Sequence, residues 1–234
     1  MTLCMRDSSN GKYRCQRAAV SVELMIPDLV LLGMGETRMF QPLTREDRVT
    51  VVLYRAGIVL STLIICLAAY MALGFRSYEE TGALNLTLNA VLVCISISVG
   101  LSVFFIHLYV GKFHRVLKKL YYVAIASLAL LFILGNGDGA AVLLHKGYGP
   151  LFLIPLSGCL GFITAKEAFC FQLMEGYLLA LTMPLFLLLT SLGVVTQKSI
   201  SYGLLLIAGM LALFTLRKVF MPIHYDIGDK SAYT

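Results

Sequence analysis

The chain has 234 residues, 59% of them hydrophobic and only 14% charged, with a formal net charge of +6. A soluble domain carries roughly a quarter of its residues as charged groups, so this balance excludes one. The Lys and Arg residues sit at the ends of apolar runs rather than in one patch, so nucleic acid is not an expected partner.

Residues 1–17 hold Arg6, Lys12, Arg14 and Arg17 against one acid, Asp7, and have no apolar segment of their own. Such a leader resembles an organelle transit peptide more than a secretory signal. The next apolar stretch, 20–33, is broken by Glu23, Pro27 and Asp28 and is too interrupted to span a bilayer. Residues 1–39 are therefore expected to be an interfacial or disordered lead-in, with a cleaved targeting segment as the alternative.

Ordered structure is expected from residue 40, with Thr44 as a helix cap and Glu46 and Asp47 in the first turn. Six apolar runs follow, at 56–75, 84–110, 120–134, 148–165, 177–195 and 202–214. Each is long enough to be read as a membrane helix rather than a core helix. Ser96 and Gly100 in the second run, and Ser157, Gly161 and Ala165 in the fourth, make small-residue stripes that allow close helix packing. Pro184 predicts a kink in the fifth. The run Gly135-Asn136-Gly137-Asp138-Gly139 lacks both the Lys-Ser/Thr of a phosphate loop and the spacing of a calcium loop, so it reads as a turn.

The segment between the second and third runs is expected to be a short turn carrying Lys112, Arg115, Lys118 and Lys119. Six crossings place it on the same face as both termini and as residues 166–176. That face then holds every Lys and Arg except Arg76, Lys146 and Lys198. The positive-inside rule turns this imbalance into an orientation, with both termini on the cytoplasmic or stromal side. The expected fold is all-α: a polytopic bundle of six transmembrane helices over 40–222, followed by a polar tail at 223–234.

Ionisable residues are scarce within the runs, and those near the basic face are the candidates for chemistry. His107 and His114 lie two turns apart, too far to share a metal on one straight helix. Either alone could ligate the metal of a porphyrin or chlorin, against the plainer reading of a hydrogen-bonded interfacial histidine. Glu167 and Cys170 have the i, i+3 spacing of a two-ligand half-site, but no local His completes it. The plainer expectation is that Glu167 pairs with Arg115 or Lys118. The six cysteines form no C-x-x-C pair, and no nucleophile–base set or nucleotide loop is present, so an enzyme is not expected.

Several segments taken together resemble an uncharacterised integral-membrane family of cyanobacteria and plastids, one of the domain-of-unknown-function families. They are Leu53-Tyr54-Arg55-Ala56-Gly57, Ile106-His107-Leu108-Tyr109 with His114-Arg115, Lys166-Glu167-Ala168-Phe169-Cys170-Phe171, Glu175, Arg217-Lys218, Pro222-Ile223, and Asp226-Ile227-Gly228-Asp229-Lys230-Ser231. The resemblance covers about 40–231. It implies a thylakoid or cyanobacterial membrane and a chloroplast transit role for the leader.

The expected function is a non-catalytic accessory subunit or assembly factor of a photosynthetic membrane complex, with a small-solute or ion transporter as the rival. Arg55, Arg115, Lys118, Lys166, Glu167, Cys170, Arg217, Asp226, Asp229 and Lys230 would form its docking or structural cluster. His107, and less strongly His114, would hold a pigment if one is bound, with chlorophyll or a carotenoid as the cofactor class. Lipids and a membrane-protein complex are the expected partners.

Overall fold

The computed structural model describes residues 3–6, 13–16, 45–74, 82–106 and 111–221. It divides into two units, Met1–Met39 and Phe40–Thr234. In the first, strands β1 (Leu3–Arg6) and β2 (Tyr13–Gln16) pair antiparallel, with Cys4 opposite Cys15. The second unit is all-α among its described residues. It holds α1 (Arg45–Gly74), α2 (Gly82–Phe105), α3 (Gly111–Leu134), the short α4 (Gly139–His145), α5 (Ile154–Phe171), α6 (Met174–Ser191) and α7 (Gln197–Val219). A 3-10 turn, Gly149–Leu153, leads into α5.

Six of these helices are long and apolar enough to cross a membrane, with α5 extended by its 3-10 turn. Their outer faces are greasy: Leu60, Leu63 and Leu67 on α1, and Leu181, Leu185 and Leu188 on α6, are exposed at helical spacing. In water such faces would drive aggregation; in a bilayer they meet acyl chains. α1 has 30 residues, about 45 Å at 1.5 Å per residue. That exceeds a hydrocarbon core of about 30 Å, so its charged first turns have room to reach headgroup level. Thr44 lies outside the described residues, as do residues 222–234 and with them Asp226, Asp229 and Lys230.

Two segments expected as loops are helical. The basic stretch 111–119 forms the first turns of α3, because Val116, Leu117 and Leu120 continue its apolar register. Likewise Lys166–Phe171 stay in α5, and the turn falls at Gln172, which adopts a left-handed conformation at φ 55°. α4 was not expected. It occupies the segment after the Gly135–Asp138 turn and packs on α2 and α3.

α1 lies between α2 and α7, and α5 between α3 and α6, so the bundle has two layers. α2 touches α3 and α5, and α6 touches α7. The α1–α2 seam is tight and polar. A Cβ at Gly57 would come within 2.8 Å of the Ser98 carbonyl oxygen. Beside it Ser61 bonds Ser98, and Ser102 Oγ donates to the Tyr54 carbonyl at 3.3 Å. On the other flank Thr62 and Thr215 hydroxyls meet at 2.7 Å, and Ser201 Oγ donates to Ala72 O at 2.8 Å.

The small-residue stripes do different jobs. Gly100 makes room for a ring, not a helix: Tyr121 of α3 lies over it and its hydroxyl donates to Ser96 O at 3.1 Å. Gly161 does bring two backbones together, since a Cβ there would stand 3.2 Å from Ala180 O of α6. That carbonyl is the one Pro184 leaves without its helical donor, and α6 continues through the proline to Ser191. Ser157 turns to a cavity wall and Ala165 is half-buried.

At the end of the bundle away from the basic residues the two layers part, leaving a cavity of about 420 Å³ between α1, α2, α6 and α7. Its mouth is framed by Leu143, Leu144 and Lys146, from α4 and the residue that ends it. A carboxylate holds α4 in place. Asp138 accepts from Asn85 Nδ2 at 3.0 Å, Asn89 Nδ2 at 2.9 Å and the Ala141 amide at 3.1 Å, while Asn89 Oδ1 takes the Ala140 amide at 2.8 Å. The bond from Asn89, then that from Ala141, holds the Asp138 carboxyl below its ordinary value. A depressed carboxyl stabilises the fold above the unfolded pKa of about 3.9 and loses that contribution as pH falls through the folded value. Asp138→Ala should therefore lower the melting midpoint at neutral pH by about 2–4 °C. The gap to the unaltered chain should close as the pH is taken below about 4, read by thermal melts across that range.

Candidate functional site

The charged residues that the fold draws together lie at the opposite end, around Glu167. α5 buries Leu160, Ile163, Thr164, Glu167 and Ala168 along one stripe, so continuing the helix past Ala165 carries Glu167 inward. α7 buries Leu211, Phe214, Thr215 and Lys218 at the same spacing, and α1 buries Val51, Tyr54, Ile58 and Ser61. Three registers thus deliver a carboxylate, an ammonium and a phenol to one point. Glu167 is 0% exposed, Lys218 1% and Tyr54 2%.

Tyr54 donates its hydroxyl to Glu167 Oε1 at 2.7 Å, and Lys166 Nζ reaches the same oxygen at 2.8 Å. Lys218 Nζ forms an ion pair with Oε2. The ammonium of Lys218 also stands 4.2 Å from the centre of the Phe171 ring, and that of Lys166 stands 5.8 Å from the Tyr54 ring. In a site this dry, such ring contacts are worth more than at a surface. Nearby, Arg55 Nη1 donates to Val219 O at 3.2 Å and Met221 O at 2.7 Å, capping carbonyls that α7 leaves open at its end. Arg217 pairs with Glu175 of α6.

The partner expected for Glu167 is corrected by this geometry. Arg115 is exposed on α3, and Lys118 lies over the Phe104 ring at 5.7 Å. Lys166 and Lys218 take the carboxylate instead, because α5 remains helical at 167 and turns it toward α1 and α7. Cys170, three residues on, falls on the exposed side of α5, so the two side chains of the supposed half-site diverge. Among the described residues no three His, Cys, Asp or Glu side chains gather at metal distance. His114 is half-buried, with its Nε2 shut in and unbonded among the described residues; His107 lies outside them.

Tyr54, Lys218 and Asp138 were not among the residues singled out from the sequence as site members. A signal for the first two was present: each falls one or two turns from apolar residues on the buried stripe of its helix. What the arrangement does chemically is to hold three helices, α1, α5 and α7, through one carboxylate. One carboxylate oxygen takes the Tyr54 hydroxyl and the Lys166 ammonium, and the other faces the Lys218 ammonium in an ion pair. It is a clasp between the three helices.

Six apolar crossings and a bundle clasped by buried charge define a multi-span integral membrane protein. The chain belongs to the family described as "Uncharacterized integral membrane protein (DUF2301)", whose model matches residues 101–234. That match starts inside α2 and takes in Glu167, Lys218 and the Asp138 turn. No curated protein matches the chain, and no solved structure does.

Removing one partner of a buried ion pair costs about 3–5 kcal/mol, whereas replacing both by apolar groups is often near neutral. Glu167→Gln should destabilise the detergent-solubilised protein by about that amount. The pair Glu167→Leu with Lys218→Met should recover most of the loss, with Lys166 free to extend its ammonium to the headgroups. A double-mutant cycle on thermal melts measures this; equal and additive losses would show that the carboxylate is not the clasp.

Proposed function

We propose that the chain is a non-catalytic accessory subunit or assembly factor of a photosynthetic membrane complex, in a thylakoid or cyanobacterial membrane. The observation that carries the reading is that the buried charge is spent internally while an uncommitted surface remains at the same end. Glu167 and Lys218 are sealed into the bundle. Lys112, Arg115 and Lys119 stand exposed on the first turns of α3, interleaved with exposed Phe113 and Val116. Phe169 and Phe220, 66% and 84% exposed, extend that rim. Aromatic and basic groups mixed at a membrane edge suit a partner subunit with an acidic loop. The positive-inside rule supports a stromal or cytoplasmic direction for this end.

The cavity between the layers favours a second reading, a small-solute transporter. It predicts flux in proteoliposomes that falls when Ala68→Phe fills the cavity in protein still able to melt cooperatively. On the leading reading the tagged chain comigrates with a photosystem or cytochrome complex on a native gel of its own membrane. Reversing Lys112, Arg115 and Lys119 to Glu should release it from that complex without moving its melting midpoint. Migration of the unaltered chain only as a free monomer or homo-oligomer would defeat the proposal.

A further inference from the structure

The cavity at the Asp138 end is not used by the clasp, and its chemistry specifies an occupant. Its wall is formed by apolar side chains such as Ile65, Leu92, Phe186 and Leu204. A second, smaller chamber of about 140 Å³ shares Ile65, Ile95, Leu153, Phe186, Leu187 and Leu204 with it and continues inward to Val99, Leu160 and Ile207. The two therefore form one slot running along the bundle. On α2 it extends from Leu88 to Val99, roughly 16 Å at the helical rise.

The hydroxyls in the wall are already engaged. Thr190 Oγ1 donates to Phe186 O at 2.8 Å, Ser201 Oγ to Ala72 O at 2.8 Å, and Ser157 Oγ to Ile154 O at 2.8 Å. Water entering the inner chamber, whose wall is almost wholly apolar, would find few partners, and such cavities stay dry. A void of this size, within the roughly 300–1,000 Å³ of small-molecule sites, forfeits dispersion contacts unless something apolar fills it. The single charged residue of the wall is Lys146, exposed, in the turn after α4 and outside the apolar spans.

We infer that the slot is a binding site for an anionic phospholipid, with one acyl chain between the layers and the phosphate on Lys146. The two halves of the site match the two halves of such a molecule. The acyl chain replaces the contacts that α1 and α2 do not make with α6 at this end. The ammonium of Lys146 sets the sign of the headgroup. This inference does not rest on the accessory-subunit reading, since a lipid in the slot is compatible with any role for the basic rim.

The test is native mass spectrometry of the full chain, delipidated in mild detergent and then offered phosphatidylglycerol, phosphatidylcholine or oleate. Phosphatidylglycerol should be retained at one per chain and several-fold more than phosphatidylcholine. Lys146→Gln should remove that preference while leaving retention of a lipid. Ala68→Phe, which fills the wall of the slot, should abolish retention of both phospholipids; if it does not fold, Ala72→Phe serves the same purpose. Equal retention of the two phospholipids by the unaltered chain would overturn the inference. So would retention that survives the filling variant, or oleate bound in place of phosphatidylglycerol.

Discussion

A carboxylate taken out of water inside a bundle must be matched by donors on every side, and that requirement governs how this molecule is assembled. Glu167 meets it with groups from α1, α5 and α7, far apart in sequence. Desolvating such a cluster is expensive, and its net stabilisation over an apolar equivalent is small. What it supplies is specificity. The carboxylate has a low-energy position only when Tyr54 and Lys218 arrive in register, so slipping α1 or α7 by one residue would strand a buried charge. This constraint adds to the close glycine contacts and the interhelical hydroxyl bonds Ser61–Ser98 and Thr62–Thr215, which also fix helix rotation in lipid.

The two ends of the bundle are consequently unlike. At the basic end the layers are drawn together through Glu167, with Arg55 closing the end of α7 and Glu175 tied to Arg217. At the other end Ser201 bonds Ala72 between α7 and α1, and Asp138, in the turn after α3, holds Asn85 and Asn89 of α2. No comparable bond crosses from α1 to α6 there among the described residues, and the cavity occupies the gap. A bundle joined at one end and parted at the other has a natural place for a lipid chain. Its charged end carries the exposed Lys112, Arg115 and Lys119.

Much of the fold was legible in the sequence because the bilayer imposes a long, one-dimensional signal. Each of the six apolar runs became a helix, and the glycine run became a turn over 135–138, with Gly139 opening α4. The boundaries were less legible, since hydropathy reports where lipid begins and not where hydrogen bonding stops. Thus Lys112–Lys119 and Lys166–Phe171, too polar to count as span, proved helical; a backbone near the interface still satisfies its amides best by continuing the helix. The site suffered most from that error. With 166–176 taken as a loop, Glu167 appeared free to reach Arg115 or Lys118; on α5 it could turn only inward.

By itself, then, the chain determined the six crossings among the described residues, which segments make them, and that positive charge accumulates at one end. Those properties follow from local composition, and each segment carries them alone. Tertiary structure decided which charge meets which, that Gly100 shelters a tyrosine while Gly161 admits a helix, and that a slot opens opposite the clasp. Those depend on the relative rotation of helices whose contacting residues lie as far as 166 positions apart. Rotation is fixed by the sum of many small packing and hydrogen-bond terms, which no single stretch of sequence displays.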